Sequence, residues 1–155
     1  MRELPEVITS LLVNHSANLF FVIRTLAYDA GKVRLGFVLR SEFAKASHIT
    51  SALGCALDCV ARVAGHQVLG HCAATESEVN FHPEALRLDV LQEFIAEARL
   101  DHVDNNLALF TSSIYTLGDR NHRLLVNASG TLKRLQTNNL VAIADWRQRR
   151  AACAR

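Results

Sequence analysis

The chain has 155 residues, enough for one domain with a sizeable core. It is 50% hydrophobic and 21% charged, with only two prolines and seven glycines, which excludes a disordered or collagen-like chain. A formal charge of +2 is too small for the basic footprint of a nucleic-acid binder, and charges interrupt every apolar run before it reaches membrane-span length.

The opening stretch "MRELPEVITSLLVNH" reads as a helix over residues 5–15. Pro5 suits a first helical turn, and Val7, Ile8, Leu11 and Leu12 make one apolar stripe. Glu3 and Glu6 beside Arg2, with no clear cleavage site, argue against a signal peptide and for a cytoplasmic protein. The pattern then changes period. Val33, Leu35, Phe37 and Leu39 alternate with Lys32, Arg34, Gly36 and Arg40, as in a half-buried strand. "DAGK" supplies a turn, with Gly31 free to take a positive φ, so residues 19–40 read as a hairpin.

A long helix is expected next, over about residues 46–64. Beyond Gly65 strand alternation returns in "TESEVNF", "EFIAEARLD", "LALFTSSIYTL" and "HRLLVNASGTLKRL", with a turn at "GDRN". The short connections favour an antiparallel meander. The tail, residues 136–155, reads as a short helix ending in a basic stretch. One domain spanning residues 1–155 accounts for the whole chain, with a core over about 19–135. The class is α+β, with a helix, two strands, a long helix and four more strands.

The long helix is apolar almost all round: Ile49, Ala52, Leu53, Ala56, Leu57, Val60, Ala61, Val63 and Ala64 leave little room for a charged face. A curved antiparallel sheet wrapped around it would bury such a surface. One narrow stripe differs: Ser47, Ser51, Gly54, Asp58 and Arg62 follow one another three or four residues apart. Small side chains admit a close neighbour, either backbone or ligand. Asp58 on that stripe has two readings. It can pair with Arg62 at i,i+4, an arrangement worth about 0.3–0.5 kcal/mol when exposed. Or it can face a cleft as a general base or nucleophile.

Four cysteines stand at Cys55, Cys59, Cys72 and Cys153. Cys55 and Cys59 are spaced i,i+4, but the C-x-x-C spacing of structural zinc sites is absent, so they read as reduced thiols packed as small hydrophobes, with no metal. Of the seven histidines, most read as loop or strand-end residues, and His48 alone reads as near the proposed site.

This order of elements resembles the hotdog fold, in which an antiparallel sheet wraps a long helix. The chain is most similar to the acyl-CoA thioesterases of the phenylacetate-degradation and 4-hydroxybenzoyl-CoA type. The likeness lies in "GKVRLGFVLRSEF", "LGCALDCVARVAG", "TESEVNFHP", "EFIAEARLDH" and "RLLVNASGTLKRL". It implies a six-stranded sheet and a thioester hydrolase whose catalytic carboxylate is Asp58. It places Ile49, Thr50 and Ser51 where the family has His-Gly-Gly, with His48 one residue early. Backbone N–H groups of Thr50 and Ser51 would then polarise the thioester carbonyl, and His48 would position the substrate. Thr75 matches, one residue off, a hydroxyl that some relatives supply from the partner subunit. The resemblance further implies an acyl-CoA or acyl-carrier-protein substrate, no cofactor, and a homodimer or dimer of dimers with sites at the interface. The alternative function is a catalytically silent hotdog protein that binds an acyl-CoA or fatty acyl ligand.

Overall fold

The computed structural model describes residues 6–29, 31–43, 46–83, 93–117 and 122–136. In chain order the elements are α1 (Glu6–Asn14), α2 (Ala17–Phe20), β1 (Phe21–Asp29), β2 (Lys32–Leu39), α3 (Ala46–Leu69), β3 (Cys72–Phe81), β4 (Glu93–Val103), β5 (Leu107–Leu117) and β6 (Leu124–Arg134). A single 3-10 turn, Ser41–Phe43, leads from β2 toward α3. The six described strands form one sheet in the order β1-β2-β4-β5-β6-β3, and every neighbouring pair is antiparallel.

Helix α3 packs on one face of this sheet, against β2 to β6. The alternating residues meet it. Val33, Leu35 and Phe37 of β2 and Phe94, Ala96 and Ala98 of β4 are buried, as are Phe110 and Ile114 of β5 and Val126, Ala128 and Leu132 of β6. From the helix, Leu53, Leu57, Val60 and Val63 enter the same core at 2% exposure or less. Each such aliphatic side chain contributes about 1.5–3 kcal/mol by leaving water. The outward face carries ion pairs, as where Arg34 and Glu97, direct neighbours across β2 and β4, meet at 2.7 Å. The wrapped helix expected from its apolar surface is therefore observed.

Three details differ from the sequence reading. Helix α3 continues five residues beyond Ala64, to Leu69. Gly65 is a close-approach position and no terminator: a Cβ there would lie 2.6 Å from Leu132 Cδ1 and 2.8 Å from Cys72 Sγ. The helix ends instead at Gly70, whose φ of 69° few other residues tolerate. Second, the strands are not a simple meander. β1–β2 and β4–β5–β6 are consecutive, but β3 leaves the end of α3 to pair with β6 at the far edge of the sheet. Third, a short helix, α2, precedes the first strand. Pro5, the "GDRN" turn, Cys153 and the expected C-terminal helix lie outside the described residues.

Candidate active site

Asp58 sits in the middle of α3, on a stripe of that helix that is not fully buried. Its neighbours along the stripe, Ser51, Gly54 and Arg62, are all at least partly exposed. A Cβ built at Gly54, one turn before Asp58, would meet nothing within 4 Å. Space is thus open beside the carboxylate. The cleft there is lined by Gly54, Leu57, Asp58, Ala74, Ser77 and Val79, with Phe110 and Ala128 below.

Two groups hold the carboxylate, both at the same oxygen. His15 Nε2 lies 2.9 Å from Asp58 Oδ2. Arg62 Nε also lies 2.9 Å from Oδ2, but its N–H is off line, so this contact is a charge pair and not an aligned hydrogen bond. The ion pair expected from the i,i+4 spacing is therefore present, together with a second partner 43 residues away. No described residue bonds Oδ1. Burial works to raise the Asp58 pKa, yet the hydrogen bond from His15 and the charge of Arg62 outweigh it and hold the carboxyl below its ordinary value. Asp58 is thus a carboxylate at neutral pH.

His15 corrects the reading that His48 is the histidine beside the site. The ring of His48 packs edge-on against Phe43, centroids 6.1 Å apart, at the other end of α3. Nothing local in the sequence marks His15, since its contact with Asp58 is made only by folding. The segment that carries it is anchored on both sides: Ile8 of α1 and Ala17 of α2 are 1% and 0% exposed.

Thr50 and Ser51 are not brought to Asp58 within one chain. At 1.5 Å per residue, helical geometry sets them about 10–12 Å along the axis from it. An acyl carbonyl cannot touch both. The helix also begins at Ala46, a turn earlier than the site reading requires. Only the first four N–H groups of a helix lack internal partners, so those of Thr50 and Ser51 fall within the helical ladder and the free ones lie at or before His48.

Thr75 occupies the extra position of a bulge where the β3–β6 register shifts between Ala74 and Glu76. Its hydroxyl donates to the Thr131 carbonyl at 3.3 Å. The bulge puts Ala74, Ser77 and Val79 on the cleft, so Ser77 is the hydroxyl residue lining Asp58 in this chain. Gly130 permits the close approach: a Cβ there would collide with the carbonyl oxygen of Glu76. The glycine in "NASGT" was the signal for this bulge.

Cys59 and Cys72 are poor nucleophiles. Burial, with the nearby Asp58 charge, pushes the Cys59 thiol up to about 12, and burial pushes Cys72 to about 11. Cys55 is partly exposed and accepts a long contact from Ser16 Oγ, 3.7 Å. Among the described residues no three His, Cys, Asp or Glu side chains converge as a metal site would require. Among them, too, no helix is long and apolar enough to cross a membrane.

No protein-family model matches the sequence, and no curated protein does. Solved structures do match. A thioesterase family protein from Silicibacter pomeroyi has a TM-score of 0.69 at 15% identity, over 83% of this chain and 95% of that one. A protein described as a hypothetical thioesterase from Streptococcus pneumoniae, solved with coenzyme A, has a TM-score of 0.68 at 10% identity, over 83% and 96%. The PaaI protein of the E. coli phenylacetic acid degradation operon has a TM-score of 0.67 at 14% identity, over 84% and 92%. At such identities the likeness establishes the fold. The chain has the hotdog fold.

Proposed function

We infer that this protein is a thioester hydrolase acting on an acyl-CoA or acyl-carrier-protein substrate, with Asp58 as nucleophile or base. The observation that carries this reading is the carboxylate itself. It is ionised, tied at Oδ2, open at Oδ1, and set beside a small-residue cleft on the central helix of a hotdog fold.

The chemistry needs few parts. A thioester carbonyl enters the cleft, and Oδ1 attacks its carbon or removes a proton from a water that does so. The C–S bond breaks, the thiolate leaves and takes a proton from solvent, and water completes release of the carboxylic acid. The net reaction is thioester plus water to acid plus thiol. A carboxyl held below its ordinary pKa is a weak proton acceptor, which favours direct attack over base catalysis.

The reading implies two chains. The cleft holds only about 50 Å³, room for a water or a carbonyl and far below an ordinary ligand pocket. The first-turn amides of α3, ending at His48, lie too far along the helix to serve the same chain's Asp58, so a second copy supplies the oxyanion donors. Strand β3 offers the joining edge. It pairs only with β6 among the described strands, and Val79 and Phe81 on it are 39% and 40% exposed. A homodimer joined at β3, alone or doubled, would enlarge the cleft and bring the two parts together.

A silent binding protein is the second reading. The Arg62 pair favours it, because that contact would need to persist or shift during attack. Thiol release from a panel of acyl-CoA and acyl-carrier-protein thioesters separates the two. Hydrolysis supports the first reading. Ligand-dependent rises in melting temperature without thiol release support the second, and neither response rejects both. Light scattering that finds only monomer would reject the two-chain site.

A further inference from the structure

We propose that His15 is a positioning residue for the catalytic carboxylate: it pins Oδ2 of Asp58 so that Oδ1 is the reacting atom. The proposal rests on the reading of Asp58 as catalytic. Four observations support it.

The ring is buried, its side chain only 6% exposed, so it meets the partly exposed Asp58 carboxylate from the protein side. Its tautomer is fixed by the backbone. The N–H of Ala17 donates to His15 Nδ1 at 3.0 Å, so Nδ1 is an acceptor and the ring proton sits on Nε2. Nε2 can then only donate, and it donates to Asp58 Oδ2 at 2.9 Å. The segment that carries the ring is held by buried residues before and after it, Ile8 and Ala17.

The consequence is an asymmetric carboxylate. Oδ2 receives both the imidazole N–H and the charge of Arg62, while Oδ1 receives no bond from a described residue. Arg62, four residues along the same helix, supplies charge without aligned geometry. His15 supplies the direction. A carboxylate rotating freely about its χ2 would offer either oxygen to the substrate. One held at Oδ2 offers Oδ1 in a single orientation, and fixed orientation is what lowers the barrier to attack.

A simpler role is also conceivable, in which His15 merely clamps the N-terminal helices to α3. The two roles differ in what they move. A clamp affects melting temperature and leaves the kinetics of each folded molecule alone. A positioning residue affects kcat more than KM, and its loss shifts the acid limb of the pH profile upward, because the hydrogen bond that favours the Asp58 anion is gone.

The test compares His15→Leu, His15→Gln and Asp58→Asn with the wild-type protein, using thiol release from acyl-CoA, melting temperature and an NMR titration of the Asp58 carboxyl carbon. His15→Leu is expected to lower kcat about 10- to 100-fold with KM within about twofold, and to raise the Asp58 titration midpoint. His15→Gln, whose amide N–H can still donate, is expected to recover part of both. If Asp58→Asn is inactive while His15→Leu keeps wild-type kcat and titration, the proposal is overturned and the catalytic reading of Asp58 stands. If Asp58→Asn keeps hydrolysing, that reading fails and the proposal fails with it. Should His15→Leu not fold, His15→Gln and His15→Asn decide between the roles. Asn is too short to reach Oδ2, so equal kcat and equal titration in the two would overturn the proposal.

Discussion

The two sides of α3 are built by different means. The side toward the sheet is assembled from local pattern: residues such as Leu53, Leu57 and Val60 recur at helical spacing and meet strand residues that alternate in and out. The partly exposed side is assembled from distance. Asp58 is defined by Arg62 one turn away, by His15 from 43 residues upstream, and by Ser77 on a bulged strand. The first side sets how stable the molecule is. On the proposed function, the second sets what it can do.

That division can be broken from either side. The largest effect is expected from Asp58→Asn, which on the proposed function removes the reacting group and should lower thioester turnover about 10²–10⁴-fold, with a melting temperature close to that of the wild type. Leu53→Ala, on the sheet side, should do the opposite. It should cost about 2–5 kcal/mol in denaturant unfolding while turnover per folded molecule persists. Gly65→Ala should cost less, about 1–3 kcal/mol, because the new methyl overlaps Leu132 and Cys72.

Smaller effects sharpen the contrast. The Asp58 carboxyl is held below its ordinary value of 3.8, so its contribution to stability is complete above that pH and is lost as pH falls through the lowered folded value. Unfolding free energy measured against pH should therefore fall less steeply below 3.8 in Asp58→Asn than in the wild type. Smallest of all, brief maleimide labelling followed by peptide mass spectrometry should leave Cys59 and Cys72 unmodified in the native protein, and denaturant should expose both.

The same division explains what the sequence could say. Helix α3 and the inward faces of β2, β4 and β6 were legible because burial repeats with a fixed period. The end of α3 was misplaced because a glycine that admits neighbouring side chains looks, in sequence, like one that stops a helix. The place of β3 at the far edge was not legible, since pairing across the sheet depends on the path of the whole chain. Asp58 stood out as a carboxylate on a small-residue stripe, and its pairing with Arg62 followed from spacing alone. His15 did not stand out, because no periodicity connects the end of α1 to the middle of α3. Thr50 and Ser51 were placed by family alignment, and with α3 starting at Ala46, as its pattern predicts, the free amides lie before them.

The central claim is that the open oxygen of Asp58 meets a thioester carbonyl in a cleft completed by a second chain. A crystal structure of Asp58→Asn with an unhydrolysed acyl-CoA tests it most directly. The expected result is the thioester carbon about 3–3.5 Å from the side chain of residue 58, with its oxygen at the helix start of the partner copy. A thioester bound elsewhere, with the residue 58 side chain still closed off by Arg62, would contradict it.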